Sequence, residues 1–410
     1  MSTMKGIINR FKRLGHNTRW LILTEPGWSI PMPWIFYYLP VYMKESNINE
    51  AQIGLIYSAS LLLQIFLPIL GGYAADKWGR KNSFILFDLI CNLGLLGTLI
   101  IAQNIYHFII ALLFSSFYSA VSPAWECLLA EGTEPEDRIL GYTITGMIYL
   151  TGSIMTPIAG YVLTIMGIKR GFAFLSAIAF VTITIKTLIL WIKLKEPAIT
   201  EKLDKGTVEL GGFIKAMKEI IGYKPLAILF MYHIISSIIF ASLPNFLSLY
   251  LKDSRGLELN IEETSLVPSL SSIVTLIIFF LISFKLEKVP YNNLLLSSAS
   301  AEVFSGLLFL ASPKRCVEII AVASLIRGIR GIDFSIVKTY ITNLIDKVNP
   351  KSRAKIISLT YSLPQILSLP APALMGLIYT LNPRYIWIAS ITMATIQIIT
   401  IIKLKTSSKA

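Results

Sequence analysis

Charge is scarce in this sequence. Asp, Glu, Lys and Arg make up 15% of its 410 residues, against roughly 25% in an average soluble protein. Hydrophobic residues make up 54%, and the mean hydropathy is +0.65. That excludes a water-soluble domain, which would expose far more polar surface. Cysteine is also rare: Cys91, Cys127 and Cys316 give neither a disulfide framework nor metal-ligand spacing. Three scattered histidines make no metal site. Neither an ATP-binding P-loop nor a nucleophile–base set is visible, so an enzyme is not expected, nor a cofactor. Strict apolar–polar alternation, the mark of a membrane β-barrel, is missing as well.

The sequence instead holds apolar runs of about twenty residues or more, long enough to cross the hydrocarbon core as helices. Open sheets are excluded at that depth, because lipid cannot satisfy their edges. The expected spans are 19–43, 50–75, 83–102, 106–131, 138–165 and 171–195, then 225–251, 262–285, 291–312, 316–345, 353–381 and 384–404. The fold class is therefore all-α, a membrane protein of twelve transmembrane helices. Residues 1–195 form one six-helix half and 225–410 the other. The polar stretch 196–224 joins them as a cytoplasmic linker. Within it Phe213, Met217, Ile220 and Ile221 fall on one side of a helix, with Lys215, Lys218 and Glu219 around the other. That pattern suits a helix lying on the membrane surface, and equally a solvated linker.

A net charge of +13 raises nucleic acid as a partner. The distribution of the basic residues rejects it. About 25 of the 37 Lys and Arg fall in segments placed in the cytoplasm and about 8 outside. Both termini are thus expected in the cytoplasm. The basic N-terminal stretch leads into a full-length span containing Glu25, with no small-residue cleavage site, so no signal peptide is expected.

The two halves repeat one another. Glu131, Pro135 and Arg138 recur as Asp346, Pro350 and Arg353, a shift of 215 from position 131 to 346; Thr145 and Pro157 fall on Thr360 and Pro372 at the same shift. Tyr42, Lys44, Glu45 and Ser46 recur as Tyr250, Lys252, Asp253 and Ser254. Matches in chain order argue for duplication of a six-helix unit. An even number of helices makes the repeat parallel, about an axis along the membrane normal.

After the second span the chain reads Gly71-Gly72-Tyr-Ala-Ala-Asp76-Lys77-Trp-Gly79-Arg80-Lys81. This resembles the signature loop of the major facilitator superfamily, G-x-x-x-D-[RK]-x-G-R-[RK], at every signature position. Gly72 and Gly79 allow close helix approach and a tight turn. The resemblance implies that Asp76 meets the N-terminus of the eleventh helix, near Arg353, where the helix dipole favours an anion. It implies that Arg80 pairs with Glu131, and that this loop, with Lys77, Lys81, Arg138 and Asp346, forms a cytoplasmic gate. The second-half copy is worn: Glu287 and Lys288 remain, while Pro290 and Tyr291 replace the second glycine and the arginine. In the fifth span Gly152, Pro157 and Gly160 are similar to the antiporter motif of drug-exporting members, with Thr156 and Thr143 in place of two of its glycines.

Ionisable groups at membrane depth cost about 2.5–3.5 kcal/mol or more each, so they face protein or a wet cavity. In the resembled fold, spans 1, 4, 7 and 10 line the central cavity. They carry Glu25, Glu126, His233, and Arg327, Arg330, Asp333 and Lys338 respectively. At about 100° per residue, Arg327, Arg330 and Lys338 share an arc of about 80°, with Asp333 about 60° beyond. Two readings follow: a cationic patch for an anionic substrate group, or an internal network in which Asp333 and Glu302 neutralise the arginines. Glu25 or Glu126 could carry a coupling proton, since desolvation disfavours the carboxylate. Glu126 could instead belong to the gate, and His233 could titrate or simply be packed. Asp88 and Lys186, on peripheral spans, read as a buried structural pair or a snorkelling lysine.

Taken together these features imply a secondary active transporter of a small organic molecule, working by alternating access. Protons are the expected coupling ion, efflux the expected direction, and an anionic substrate is included. Uptake of an organic anion is the alternative, followed by a non-transporting receptor. The expected partners are the lipid bilayer, the substrate and protons. A monomer in the plasma membrane is expected.

Overall fold

The computed structural model describes residues 11, 13–130, 133–197, 220–285, 290–348 and 353–407. No strand occurs among them. The amphipathic stretch of the linker lies almost wholly outside the described residues, as do Glu287 and Lys288 of the worn motif.

The chain groups by contact into two compact units, 1–49 with 59–203, and 50–58 with 204–410. Unit 1 holds α1 (His16–Thr24), α2 (Pro26–Ser29), α3 (Pro31–Glu45), most of α4 (Glu50–Trp78), α5 (Arg80–Ile100), α6 (Ile105–Ser116), α7 (Tyr118–Ala130), α8 (Pro135–Ile154), α9 (Thr156–Met166) and α10 (Ile168–Lys193). Unit 2 holds α11 (Lys224–Ser242), α12 (Pro244–Lys252), α13 (Ile261–Thr264), α14 (Leu266–Lys285), α15 (Tyr291–Ala311), α16 (Val317–Arg327), a 3-10 stretch (Gly328–Ile332), α17 (Asp333–Val348), α18 (Arg353–Ser368), α19 (Ala371–Leu381) and α20 (Tyr385–Ser407).

Most interruptions coincide with proline, which removes a backbone donor and clashes with the preceding turn. Pro26 and Pro31 divide α1–α3, Pro157 opens α9, Pro244 opens α12, and Pro370 precedes α19. Each unit has its own apolar core. Leu21, Phe84, Ala124, Leu128 and Leu190 cluster in unit 1, and Leu229, Leu295, Ile332, Val337 and Ile401 in unit 2. Large apolar side chains also cover the outside, among them Ile69, Tyr106, Ile192 and Leu381. An exterior that apolar needs a lipid solvent.

Among the described residues, ten helical stretches are long and apolar enough to cross a membrane. They correspond to ten of the twelve expected spans. The other two are span 1, divided at Glu25 and Ile30, and span 10, divided by its 3-10 stretch. These are also the two spans that carry the densest candidate chemistry.

Residues 50–58 join unit 2 through specific contacts. Arg255 donates to Glu50 at 2.8 Å, and the Ala373 N–H donates to Ser58 Oγ at 3.1 Å. Arg255 also holds Asp253 in the loop after α12. Burial acts to push the Asp253 carboxyl up, but the Arg255 N–H, guanidinium and charge outweigh it and hold the group below its ordinary value.

Candidate functional site

The tenth span supplies the first cluster, in unit 2. A continuous α-helix would place Arg330 about 60° away from Arg327. The 3-10 stretch, at three residues per turn, stacks i over i+3, so both guanidiniums reach the same carboxylate. Glu302 of α15 accepts two hydrogen bonds from Arg327 Nη1, at 3.0 and 3.1 Å, and one from Ser390 Oγ at 2.6 Å. Arg330 Nε lies 3.2 Å from Glu302 Oε2. Asp333 accepts from Tyr232 at 2.5 Å, Ser236 at 2.6 Å and Ser298 at 2.9 Å. Gln397 closes the circuit, accepting from Arg330 Nη1 and donating to Ser236. Glu302 and Asp333 are wholly buried and Arg330 nearly so. Two carboxylates thus face two guanidiniums. Hydroxyls of α14 brace the irregular turn, with Thr275 donating to the Gly328 carbonyl and Ser271 to that of Ser324.

Two nitrogens of Arg330 are buried and make no hydrogen bond among the described residues: Nε, which keeps its ion-pair contact with Glu302, and Nη2. A cavity of about 160 Å³ adjoins it, lined by Phe240, Ser271, Ser272, Thr275, Arg327 and Arg330. The Arg330 guanidinium stands 5.3 Å from the Phe240 ring, and Arg327 lies 5.6 Å from that of Trp387. His233 is buried on α11 beside Asp333, its ring hydrogen-bonded to the Thr360 backbone.

The second cluster belongs to unit 1 and centres on the break between α1 and α2. Glu25 is buried there and accepts from Ser29 Oγ at 2.6 Å. Lys186 Nζ lies 3.5 Å from Asp88 Oδ1, both side chains buried. Asp88 also accepts from Thr187 at 2.6 Å and Asn92 at 2.9 Å. Asn92 in turn accepts from the Trp28 indole, whose ring stacks on Tyr118 and Tyr149.

The loop between α4 and α5 is built differently from expectation. Gly79 has φ +87°, a conformation that favours glycine, so the tight turn is there. The close helix approach is not at Gly72, where an added Cβ meets nothing within 4 Å. It is at Gly71, where a Cβ would lie 2.2 Å from the Ala120 carbonyl oxygen. Asp76 and Lys77 are exposed, Lys77 lying over the Tyr73 ring. The acid at the α5 N-terminus is Glu196: its two carboxylate oxygens accept the Arg80 N–H at 2.6 Å and the Lys81 N–H at 3.0 Å. This satisfies two of the four free donors of a helix start and places a negative charge at the positive dipole end. Glu196→Ala is expected to cost about 1 kcal/mol, read as a lower midpoint in thermal unfolding of the purified protein.

A family model described as Major Facilitator Superfamily matches residues 26–372. The chain belongs to the major facilitator superfamily. Among curated relatives of this facilitator, the multi-drug resistance efflux pump PmrA of Streptococcus pneumoniae (serotype 4, strain ATCC BAA-334 / TIGR4) is 26% identical over 38% of this chain and 40% of its own length. Multidrug resistance protein 2 of Bacillus subtilis (strain 168) is 28% identical over 37% of this chain and 38% of its own. The chain therefore spans about two fifths of the length of the curated relatives it matches. Among solved structures, nucleoside transporter NupG superposes with a TM-score of 0.72 at 16% identity, covering 96% of this chain and 99% of that one. A bacterial homolog of the human lysosomal transporter Spinster gives 0.68 at 15% identity, covering 95% and 96%. These likenesses show the fold.

Within this facilitator the expected site residues sort into groups. Arg327, Arg330 and Asp333 come together, with His233 beside them. Lys338 is exposed on α17; the expected arc shared with Arg327 and Arg330 assumed an unbroken helix, and the 3-10 stretch changes its register. Glu25 is drawn into the Asp88–Lys186 cluster, while Glu126 is exposed on α7. Arg138 donates to the Thr133 carbonyl at 3.0 Å. Glu131, the expected partner of Arg80, lies outside the described residues, as do the side chains of Asp346 and Arg353. In the fifth-span motif Pro157 opens α9, Gly160 is buried, and Gly152 sits against Ser29 and Ile30. Sequence reasoning missed Tyr232, Ser236, Ser298, Ser390 and Gln397. Their signal was present only as isolated polar residues in apolar spans.

Proposed function

We propose that this facilitator is a secondary active transporter that exports a small organic molecule in exchange for protons by alternating access. The observation that carries the reading is the set of carboxylates and cations buried within the helical bundles, at a depth where ionisable groups are costly unless function requires them. The multi-drug resistance efflux pump and the multidrug resistance protein among the relatives favour export of a drug-like compound, and the fifth-span motif agrees with them. Glu25 is the proposed proton carrier in preference to the exposed Glu126. The reading includes cytoplasmic termini, a monomer and the plasma membrane, all resting on charge distribution and family pattern.

An organic anion as cargo is the second reading. One observation favours it: Arg330 lines the cavity and its Nη2 makes no hydrogen bond among the described residues. The balance of the two arginines by Glu302 and Asp333 limits it, because no surplus positive charge remains.

Proteoliposomes test both readings. With an acidic interior, proton-driven exchange is expected to accumulate ethidium several-fold above a gradient-free control. A protonophore is expected to abolish that accumulation, and Glu25→Gln to reduce it to the control level. A sulfonated fluorescent anion entering with protons from an acidic exterior, and lost in Arg330→Lys, would instead select the second reading. Movement of neither probe under either gradient would exclude both.

A further inference from the structure

The Asp88–Lys186 pair reads in isolation as a structural ion pair. Its surroundings give it a second role. Glu25 lies within electrostatic reach of both groups. The Lys186 stem passes directly over the helix break, since a Cβ built on Gly27 would lie 3.2 Å from Lys186 Cβ. Three ionisable side chains from α1–α2, α5 and α10 therefore share one buried pocket, all three at most 8% exposed.

Charge counting decides what that pocket holds. Two carboxylates and one ammonium would leave an uncompensated negative charge in a low-dielectric interior, a state that proteins avoid by binding a proton. Among the described residues the other ionisable groups within electrostatic reach are Tyr118, beside Glu25 and Asp88, and Cys91, beside Asp88 and Lys186, with Tyr149 next to Tyr118. All three are ordinarily neutral at physiological pH, so none supplies the missing positive charge. Asp88 accepts from Thr187 and Asn92 and faces Lys186. Glu25 has one donor, Ser29. The carboxylate form is thus better supported at Asp88, and the proton belongs on Glu25.

We propose that Glu25, Asp88 and Lys186 form a proton-binding site that holds one proton on Glu25, with Lys186 as the cation that swings from Asp88 to Glu25 when the proton leaves. This inference rests on the proton-coupled reading above and names its site and its moving charge. On release the Glu25 O–H bond breaks and the proton passes to water. Lys186 keeps its three N–H protons throughout and shares its charge between the two carboxylates. The flexible lysine stem suits the swing, and the 3.5 Å separation from Asp88 is longer than a tight charge-assisted hydrogen bond. Asp88, though on a peripheral helix, thereby sets whether Glu25 keeps its proton.

Infrared difference spectroscopy of the purified protein at neutral pH, with no cargo and no gradient, reads this directly. Wild type is expected to show the carbonyl stretch of a buried protonated carboxylic acid. Glu25→Gln is expected to remove it. Asp88→Asn is expected to remove it as well, because Lys186 then neutralises Glu25 alone. Lys186→Met should roughly double the band, two carboxyls then lacking a cation, and Lys186→Arg should keep the wild-type band. The first two changes are nearly isosteric, so they decide the question even where Lys186→Met does not fold. A band that survives Asp88→Asn would reduce the Asp88–Lys186 pair to scaffolding and overturn the proposal. A band that survives Glu25→Gln would overturn it too. The spectrum needs no transport, so a failure of ethidium exchange and a failure of this site give separate signatures.

Discussion

Glu302→Gln is expected to destabilise unit 2 by about 3–5 kcal/mol, the usual cost of stranding a buried charge. The substitution keeps the shape of the side chain and removes only its charge. In the native unit Glu302 is fully buried and faces Arg327 at 3.0 Å and Arg330 at 3.2 Å. Asp333 cannot take over, because its oxygens are already held by Tyr232, Ser236 and Ser298. Two guanidiniums would then share one committed carboxylate. The measurement is thermal unfolding of the purified protein in detergent. The double variant Glu302→Gln with Arg327→Gln should recover part of the loss, since it removes the stranded cation as well as the anion. An unchanged midpoint for the single variant would mean that the arginines are solvated or neutralised elsewhere.

The sequence displayed the bundle far better than the site. Apolar runs marked nearly every helix, because a lipid solvent demands length and hydropathy and little else. Spans 1 and 10 were the least regular, and for the same reason the most informative. Their prolines, glycines and charges break the helix where polar groups must be held. Arg327, Arg330 and Asp333 were legible as isolated charges in an apolar run. Their geometry was not, because a rotation of 100° per residue fails across a 3-10 stretch. Glu302 was visible as a candidate neutraliser, whereas Gln397 and the surrounding hydroxyls look like ordinary polar residues until α11, α15, α16, the 3-10 stretch, α17 and α20 converge. Asp88 and Lys186 were assigned to peripheral helices, and only the fold reveals that Glu25 joins them. The loop motif marked a real turn at Gly79, and its spacing to Asp76 singles out Gly72, but the close contact falls on Gly71, about 100° round the helix.

The second large effect concerns Gly152. Gly152→Val is expected to prevent accumulation of folded protein, judged by the loss of its monodisperse peak in size-exclusion chromatography, whereas Gly72→Val should leave that peak intact. A Cβ at Gly152 would lie 2.0 Å from the Ser29 carbonyl oxygen and 2.8 Å from Ile30 Cα. Those atoms are backbone, so no rotamer can relieve the clash, and the Trp34 indole pins the same place by donating to the Gly152 carbonyl at 2.8 Å. At Gly72 the added carbon enters open space. Gly152→Ala adds that Cβ alone, so the Ser29–Ile30 backbone must shift to admit it. The expected cost is about 3 kcal/mol or more, the upper end of overpacking, and the strain falls on the residue that donates to Glu25. Its effect on ethidium exchange should therefore exceed its effect on stability. Equal losses in both would mean that the glycine only packs helices. A larger loss in exchange would tie the fifth-span motif to the proton carrier through Ser29.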